Sequence, residues 1–166
     1  MSRSSASTVR STPISDVAAS ASGLRIHSET VAVETRERIE LTDLTERVMS
    51  IVRRAGVREG IVHVWAMHTT CAVFVNEFQR ALLSDMKQYI AGLVAHDAEW
   101  LHNDPQHSDC DRKNADAHLR ALLLGHSLTL QVTAGEVVLG QWQRVLMAEL
   151  DGPRARTLRV QVMGLA

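Results

Sequence analysis

Residues 102–118 read HNDPQHSDCDRKNADAH, a polar stretch that holds His102, His107, His118, Asp104, Asp109, Asp111, Asp116 and Cys110. Neutral imidazoles bind zinc and other transition ions, and carboxylates or a thiolate can complete the shell. The same side chains move protons near neutral pH. The spacing from His102 to His118 matches neither a zinc finger nor an H-E-x-x-H helix. Two readings therefore stand, a metal or acid–base site and a solvated loop. His118 falls in the first turn of an expected helix, where the dipole disfavours an imidazolium and suits a neutral ligand.

The other candidates lie at the ends of elements. His68, Thr69 and Thr70 follow one apolar run; Asn76 and Glu77 close the next; Gln143, Glu149, Asp151, Arg154 and Arg156 sit near the C-terminus. Thr69 and Thr70, or the helix start after Asn114, could hold a phosphate. Arg154 or Arg156 could grip phosphate oxygens in a fork, or be turn charges. Cys71 opens an apolar run and reads as a small core residue. Cys110 is either a metal ligand or an exposed thiol. His27, His63, His96 and His126 read as structural or surface residues, His63 inside an apolar strand.

Several chemistries are excluded. There is no Gly-x-Ser-x-Gly elbow and no glycine-rich phosphate loop. The net charge of -1 offers no broad basic surface for nucleic acid or anionic lipid. Aromatic residues make up 4%, too few for base stacking as the main binding mode. Two cysteines argue against a disulfide scaffold. No apolar run approaches the roughly 18–20 residues that span a bilayer.

The candidates must be held by regular elements, and the chain marks these clearly. IHSETVAVET alternates as a strand. LTDLTERVMSIVRRAG reads as a helix, with Asp43 as cap, Glu46 three residues on, and Leu44, Val48, Ile51 and Ala55 on one face. Arg53 and Arg54 suit its C-terminal dipole, and Gly56 closes it. GIVHVWA and CAVFVNE are short, β-branched and strand-like. A helix over residues 78–95 carries Phe78, Leu82, Met86, Tyr89 and Leu93 as its stripe. NADAHLRALLLG is a third helix, from Asn114 as N-cap to Gly125. SLTLQV, EVVLGQW, RVLMAEL and TLRVQVM then read as strands, with TAGE and DGPR as turns. The short connections predict antiparallel pairing. The class is α+β, a single domain over residues 23–166 with helices packed on one face of a mainly antiparallel sheet. Residues 1–22 are rich in Ser, Ala and Thr, lack a period, and read as a disordered leader. They lack the apolar core of a secretory signal, and a transit peptide is the minor reading.

Taken together, HTTCAVFVNE, NADAHLRALLLGHSL, LGQWQRVLMAELDGPRART and VQVMG resemble the YjbQ family, whose members are often called secondary thiamine-phosphate synthases. The resemblance runs from about residue 24 to the C-terminus. It implies a compact α+β fold, a homotrimer and a histidine-built metal site. It also implies the joining of hydroxymethylpyrimidine diphosphate to thiazole phosphate. By this resemblance His68, His102 and His118 are the metal ligands. The ion is zinc, or magnesium accompanying the diphosphate. Glu77 and Glu149 orient a ligand or move a proton, and Thr69, Thr70, Asn76, Gln143 and Arg154 meet the substrate. Two departures stand out. Cys71 replaces the small residue usual after HTT. The segment between His102 and His118 is longer than in many relatives, which leaves His107 as the alternative to His102. The expected setting is the cytoplasm, with a phosphorylated small molecule as partner and neither nucleic acid nor membrane. A non-catalytic metal or small-molecule binder and a metal-dependent hydrolase are the alternatives.

Overall fold

The structure, a computed structural model, describes the backbone course of residues 8–18 and residues 23–166 in full. The elements are β1 (Thr8–Ala18), β2 (Leu24–Glu34), β3 (Glu40–Asp43), α1 (Thr45–Ala55), β4 (Glu59–Ala66), β5 (Cys71–Asn76) and α2 (Arg80–Leu93). A short 3-10 turn (Leu101–Asn103) precedes α3 (Ala115–Leu124), β6 (Ser127–Thr133), β7 (Glu136–Val137), β8 (Arg144–Glu149) and β9 (Ala155–Leu165).

The strands form two antiparallel sheets, not one. The larger has the order β1-β2-β9-β4-β6-β7 and the smaller β3-β8-β5. β8 explains the stacking. Val145 and Met147 face the larger sheet, while Leu146 and Ala148 face α2 and α3. A strand buried on both faces reads as a continuous apolar run, which is why RVLMAEL does not alternate. One core lies between the sheets and α1, built on Val31, Val33, Val62, Val64, Leu158 and Val160. The second joins the small sheet to α2 and α3 through Met86, Ile90, Ala117 and Ala121. Each fully buried aliphatic side chain in these cores contributes roughly 1.5–3 kcal/mol by leaving water.

Helix α1 follows its expected pattern. Val48, Ile51, Val52 and Ala55 are buried, and Gly56 ends the helix in the left-handed region. Asp43 accepts the Thr45 N–H at 2.8 Å, one residue ahead of Leu44 at the N-cap. In the last turn Arg54 forks onto buried Glu29 of β2 at 2.9 and 2.8 Å. Burial works upward on the Glu29 carboxyl, but the bonds from Arg54 and His27 outweigh it and hold it low.

Other expectations shift. α2 starts at Arg80, with Gln79 capping the Leu82 N–H, and buries Met86 and Ile90. Phe78 and Tyr89, expected in its apolar stripe, are exposed. EVVLGQW is strand only at Glu136–Val137. Its remainder turns at Gly140, whose N–H donates to Gln143. Within the span expected to be a disordered leader, Thr8–Ala18 departs from that reading and pairs antiparallel with β2, Thr8 opposite Glu34 and Ala18 opposite Arg25. The cause lies in the backbone, since β2 offers an open row of amides and carbonyls on that side and a Thr- and Val-containing segment extends readily. Residues 1–7 and 19–22 lie outside the described residues.

Candidate functional site

The chain reverses from β8 into β9 through residues 149–154, ELDGPR, with a cis Gly152–Pro153 bond. This turn lies directly on the loop after β2. A Cβ at Gly152 would stand 2.1 Å from the Glu37 carbonyl oxygen, so only glycine permits the approach. The Gly152 N–H donates to the Arg38 carbonyl at 3.0 Å, and the Leu150 N–H donates to the Thr70 carbonyl at 3.2 Å. Packing of the backbone thus brings the β2–β3 loop, the HTT loop and the ELDGPR turn together.

Beneath the turn lies a buried ion pair. Arg156 grips the Glu149 carboxylate through Nε and a terminal nitrogen, and also donates to Thr70 Oγ1 and the Thr70 carbonyl. Glu149 further accepts the Thr35 hydroxyl and the N–H groups of Leu150 and Asp151. Burial works downward on Arg156, but its bond to Glu149 and their opposite charges prevail and hold it high. Glu149 is wholly buried and its oxygens are committed. Glu149, expected to orient a ligand or move a proton, serves here as the counter-ion of Arg156 that shapes the turn.

Above this pair is an arginine-rich mouth. The buried Asp151 carboxylate receives Arg112 Nε at 3.1 Å and Asn114 Nδ2 at 2.8 Å. Arg154 reaches it at 3.0 Å and Arg38 at 3.8 Å. Arg38 also reaches Asp116 at 3.3 Å, and Arg120 pairs with Asp116 at 2.7 Å. Four guanidinium groups therefore share two carboxylates, leaving an excess of positive charge. Arg120 is buried and donates to the Ala91 and Val94 carbonyls, closing the end of α2. Arg38, Arg112 and Arg154 keep between 29% and 51% of their side-chain surface, so they face solvent. Arg154 Nε is buried without a partner among the described residues. The Asp116 carboxyl is pushed up by burial, but the His96 bond and the charges of Arg120 and Arg38 overcome this and hold it low.

Two histidines stand at this mouth. The His102 and His118 rings meet edge to face, with centroids 4.9 Å apart. His102 Nε2 lies 3.2 Å from Asn114 Oδ1, so Asn114 links it to Asp151. Burial, then the neighbouring His102, depresses the His118 pKa, with Asp151 opposing. His68 lies on the HTT loop, where its Nε2 accepts the Thr157 N–H at 2.8 Å. A neutral imidazole has one acceptor nitrogen, so this bond leaves the proton on Nδ1. Burial, then the charge of Arg156, pushes the His68 pKa down, which favours that neutral ring.

A concave site of about 510 Å³ opens beside them, lined by Trp65, Ala66, Met67, His68, Thr69, Thr70, His126, Arg154 and Arg156. Its size falls in the range of small-molecule sites. Thr69 is exposed and available to a ligand, whereas Thr70 is buried and bound to Arg156.

Not all candidates meet here. Cys71 pairs with Glu149 at one end of the β5–β8 ladder, and Asn76 with Arg144 at the other. The separation is five strand steps, about 17 Å. Asn76 and Glu77 therefore lie away from His68 within one chain, as does Gln143 next to Arg144. Asn76 Oδ1 accepts the Glu77 N–H, and Gln143 closes its own turn. His107 bonds Asp104 at 3.0 Å in the exposed loop. Cys71 is buried and its thiol is pushed up to about 12, chiefly by burial. Cys110 Sγ lies 3.6 Å from Asn114 Oδ1.

The expected three-histidine metal set does not form a cluster among the described residues. Among the described residues no three His, Cys, Asp or Glu side chains converge closely enough to hold an ion. His68 also spends its acceptor nitrogen on Thr157, and the Asp151 carboxylate is surrounded by cations. The residues present suit an anion better than a zinc ion.

Arg38, Arg112 and Trp65 escaped the sequence reading, and Asn114 was read as a helix cap without its bond to Asp151. Arg38 lies in a charged run and Arg112 in a polar loop, and no local signal ties either to Asp151.

The whole region falls inside the match to a family described as UPF0047 protein YjbQ-like, over residues 29–165. The chain belongs to the YjbQ family. A UPF0047 protein of Methanothermobacter thermautotrophicus is 41% identical over 141 residues, 85% of this chain and 94% of that one. One from Archaeoglobus fulgidus is 38% identical over 80% of this chain and 98% of its own. A YbjQ-like protein of unknown function from Sulfolobus solfataricus P2 superposes with a TM-score of 0.79 at 33% identity, covering 85% of this chain and 99% of its own. A hypothetical protein from Aeropyrum pernix K1 gives 0.76 at 34% identity, over 82% and 98%. The α+β fold of this chain, with three helices and antiparallel sheets among the described residues, is thus shared with these two solved structures. Among the described residues no helix is long and apolar enough to cross a membrane.

Proposed function

We propose that this chain is a transferase of the secondary thiamine-phosphate synthase type, with the arginine-ringed mouth around Asp151 as its diphosphate site. The observation that carries this reading is the excess of guanidinium groups over carboxylates there. Diphosphate oxygens would take up Arg154, Arg112 and Arg38, whose fixed forks stabilise charge as it develops on a leaving group. In the reaction, the bond from the pyrimidine methylene carbon to the diphosphate oxygen breaks, and its electron pair leaves with diphosphate. The thiazole nitrogen lone pair forms the new carbon–nitrogen bond, and that nitrogen has no proton to shed. The histidines would act as neutral donors to phosphate oxygens, His68 through Nδ1–H. Magnesium would arrive with the diphosphate, as part of the substrate. We further propose a cytoplasmic homotrimer, supported by Ile61, which stays exposed on the uncovered face of the larger sheet.

The test supplies purified chain with the pyrimidine diphosphate and the thiazole phosphate and follows thiamine phosphate as a fluorescent derivative. Product above background, lost in Arg154→Met, supports the transferase. Tight diphosphate binding without product makes the chain a binding module. Phosphate release from unrelated esters makes it a hydrolase.

A further inference from the structure

The cavity beside the arginine mouth is lined by two chemically distinct sets of side chains. Arg154, His68 and Thr69 form one. Trp65, Met67 and His126 form the other. Strand β4 explains the second set. Its alternate residues Val62, Val64 and Ala66 are buried in the core, which turns Ile61, His63 and Trp65 to the opposite face. Trp65 sits opposite Ser127 of β6 and Arg159 of β9, and half of its surface remains open. The Ala66 N–H donates to the His126 carbonyl at 2.8 Å, which fixes the loop carrying His126 beside the same strand end. A phosphate or diphosphate alone needs neither the volume of this site nor an indole. A flat ring attached to a phosphoryl group uses both sets.

We infer that Trp65 is a specificity-determining residue, selecting phosphorylated ligands that carry a flat heteroaromatic ring by stacking against it. This rests on the phosphoryl-binding reading of the arginine mouth, and it adds the residue that distinguishes an aromatic phosphate from an aliphatic one. Aromatic stacking is tolerant of the ring's hydrogen-bonding pattern, so the preference is for ring type and not for one substituent. Trp65 is absent from the buried core, so its truncation leaves the packing of the domain in place.

Calorimetric titration of the full chain with thiamine phosphate, glycerol 3-phosphate and inorganic diphosphate tests this. The expected result is binding of thiamine phosphate at least about tenfold tighter than glycerol 3-phosphate, within the range of single-ring stacking. Trp65→Ala should erase that ratio, Trp65→Phe should keep most of it, and both should bind diphosphate as the unaltered chain does. An unchanged ratio in Trp65→Ala, or no preference in the unaltered chain, overturns the role of Trp65 while leaving the phosphoryl site intact. Failure of the unaltered chain to bind diphosphate overturns both.

Discussion

Glu149→Gln removes one charge from the pair at the base of the site. The Glu149 carboxylate receives five hydrogen bonds, two from Arg156, one from Thr35 and two from the backbone N–H groups of Leu150 and Asp151. A glutamine carbonyl can keep the Oε1 position and its two backbone donors. Its amide group must then occupy the Oε2 position, where Arg156 Nε also donates, so two donors oppose each other. Arg156, 1% exposed, keeps the glutamine carbonyl and Thr70 as acceptors for its terminal nitrogen but loses the acceptor of its Nε–H and its counter-charge. Breaking a buried pair in this way costs about 3–5 kcal/mol. At roughly 2–4 °C per kcal/mol, the melting temperature should fall by about 6–20 °C. Replacing both partners by methionine should cost less than Glu149→Gln, because no uncompensated charge remains. Differential scanning calorimetry on the three proteins decides the matter. A Glu149→Gln melt within about 2 °C of the unaltered chain would refute the reasoning, since it would mean that the charge on Glu149 is not needed.

The depressed pKa values of His68 and His118 mean that the unfolded chain binds protons more readily than the folded one. Their contribution to stability is complete above the ordinary value of 6.5 and is lost as pH falls below it; melting curves between pH 7.5 and 5 should show the decline, and His118→Gln should flatten it. Cys71 is buried with its thiol pushed up to about 12, whereas Cys110 is partly open, so a thiol reagent should titrate one cysteine in the native chain and two in denaturant. A Cβ at Gly60 would stand 2.1 Å from the Met163 carbonyl oxygen across the β4–β9 pair; Gly60→Ala should therefore destabilise the larger sheet by several degrees or prevent soluble expression, read by circular dichroism.

Much of the fold was legible because local signals agree with tertiary need. The stripe of Val48, Ile51 and Ala55, with Gly56 behind it, meets the core as expected. Phe78 and Tyr89 misled because helical spacing alone does not say which side a neighbouring sheet will occupy. Splitting the strands into two sheets could not be read either. It depends on β8 pairing on both edges, with β3 and β5, across long stretches of chain. His68 and Arg154 were visible from motif and turn chemistry. The partnership of Asp151 with Arg38 was not, because the residues that bring them together are Gly152 and a carbonyl of the β2–β3 loop. The burial of Glu149 and its five hydrogen bonds were not legible either, since burial and partner count emerge only in three dimensions.

The most direct test of the central claim follows the arginine side chains themselves. Inorganic diphosphate would be titrated into nitrogen-15-labelled full-length chain, with the Arg Nε–H resonances recorded and Arg154→Met, Arg112→Met and Arg38→Met used for assignment. The Nε–H signals of Arg154 and Arg112 should shift together and saturate. Arg154→Met should weaken the remaining response by about tenfold or more, as expected for losing a hydrogen bond to a charged group worth roughly 1.5–3 kcal/mol. Resonances that stay in place at millimolar diphosphate, or that shift equally in Arg154→Met, would contradict a phosphoryl-binding site around Asp151.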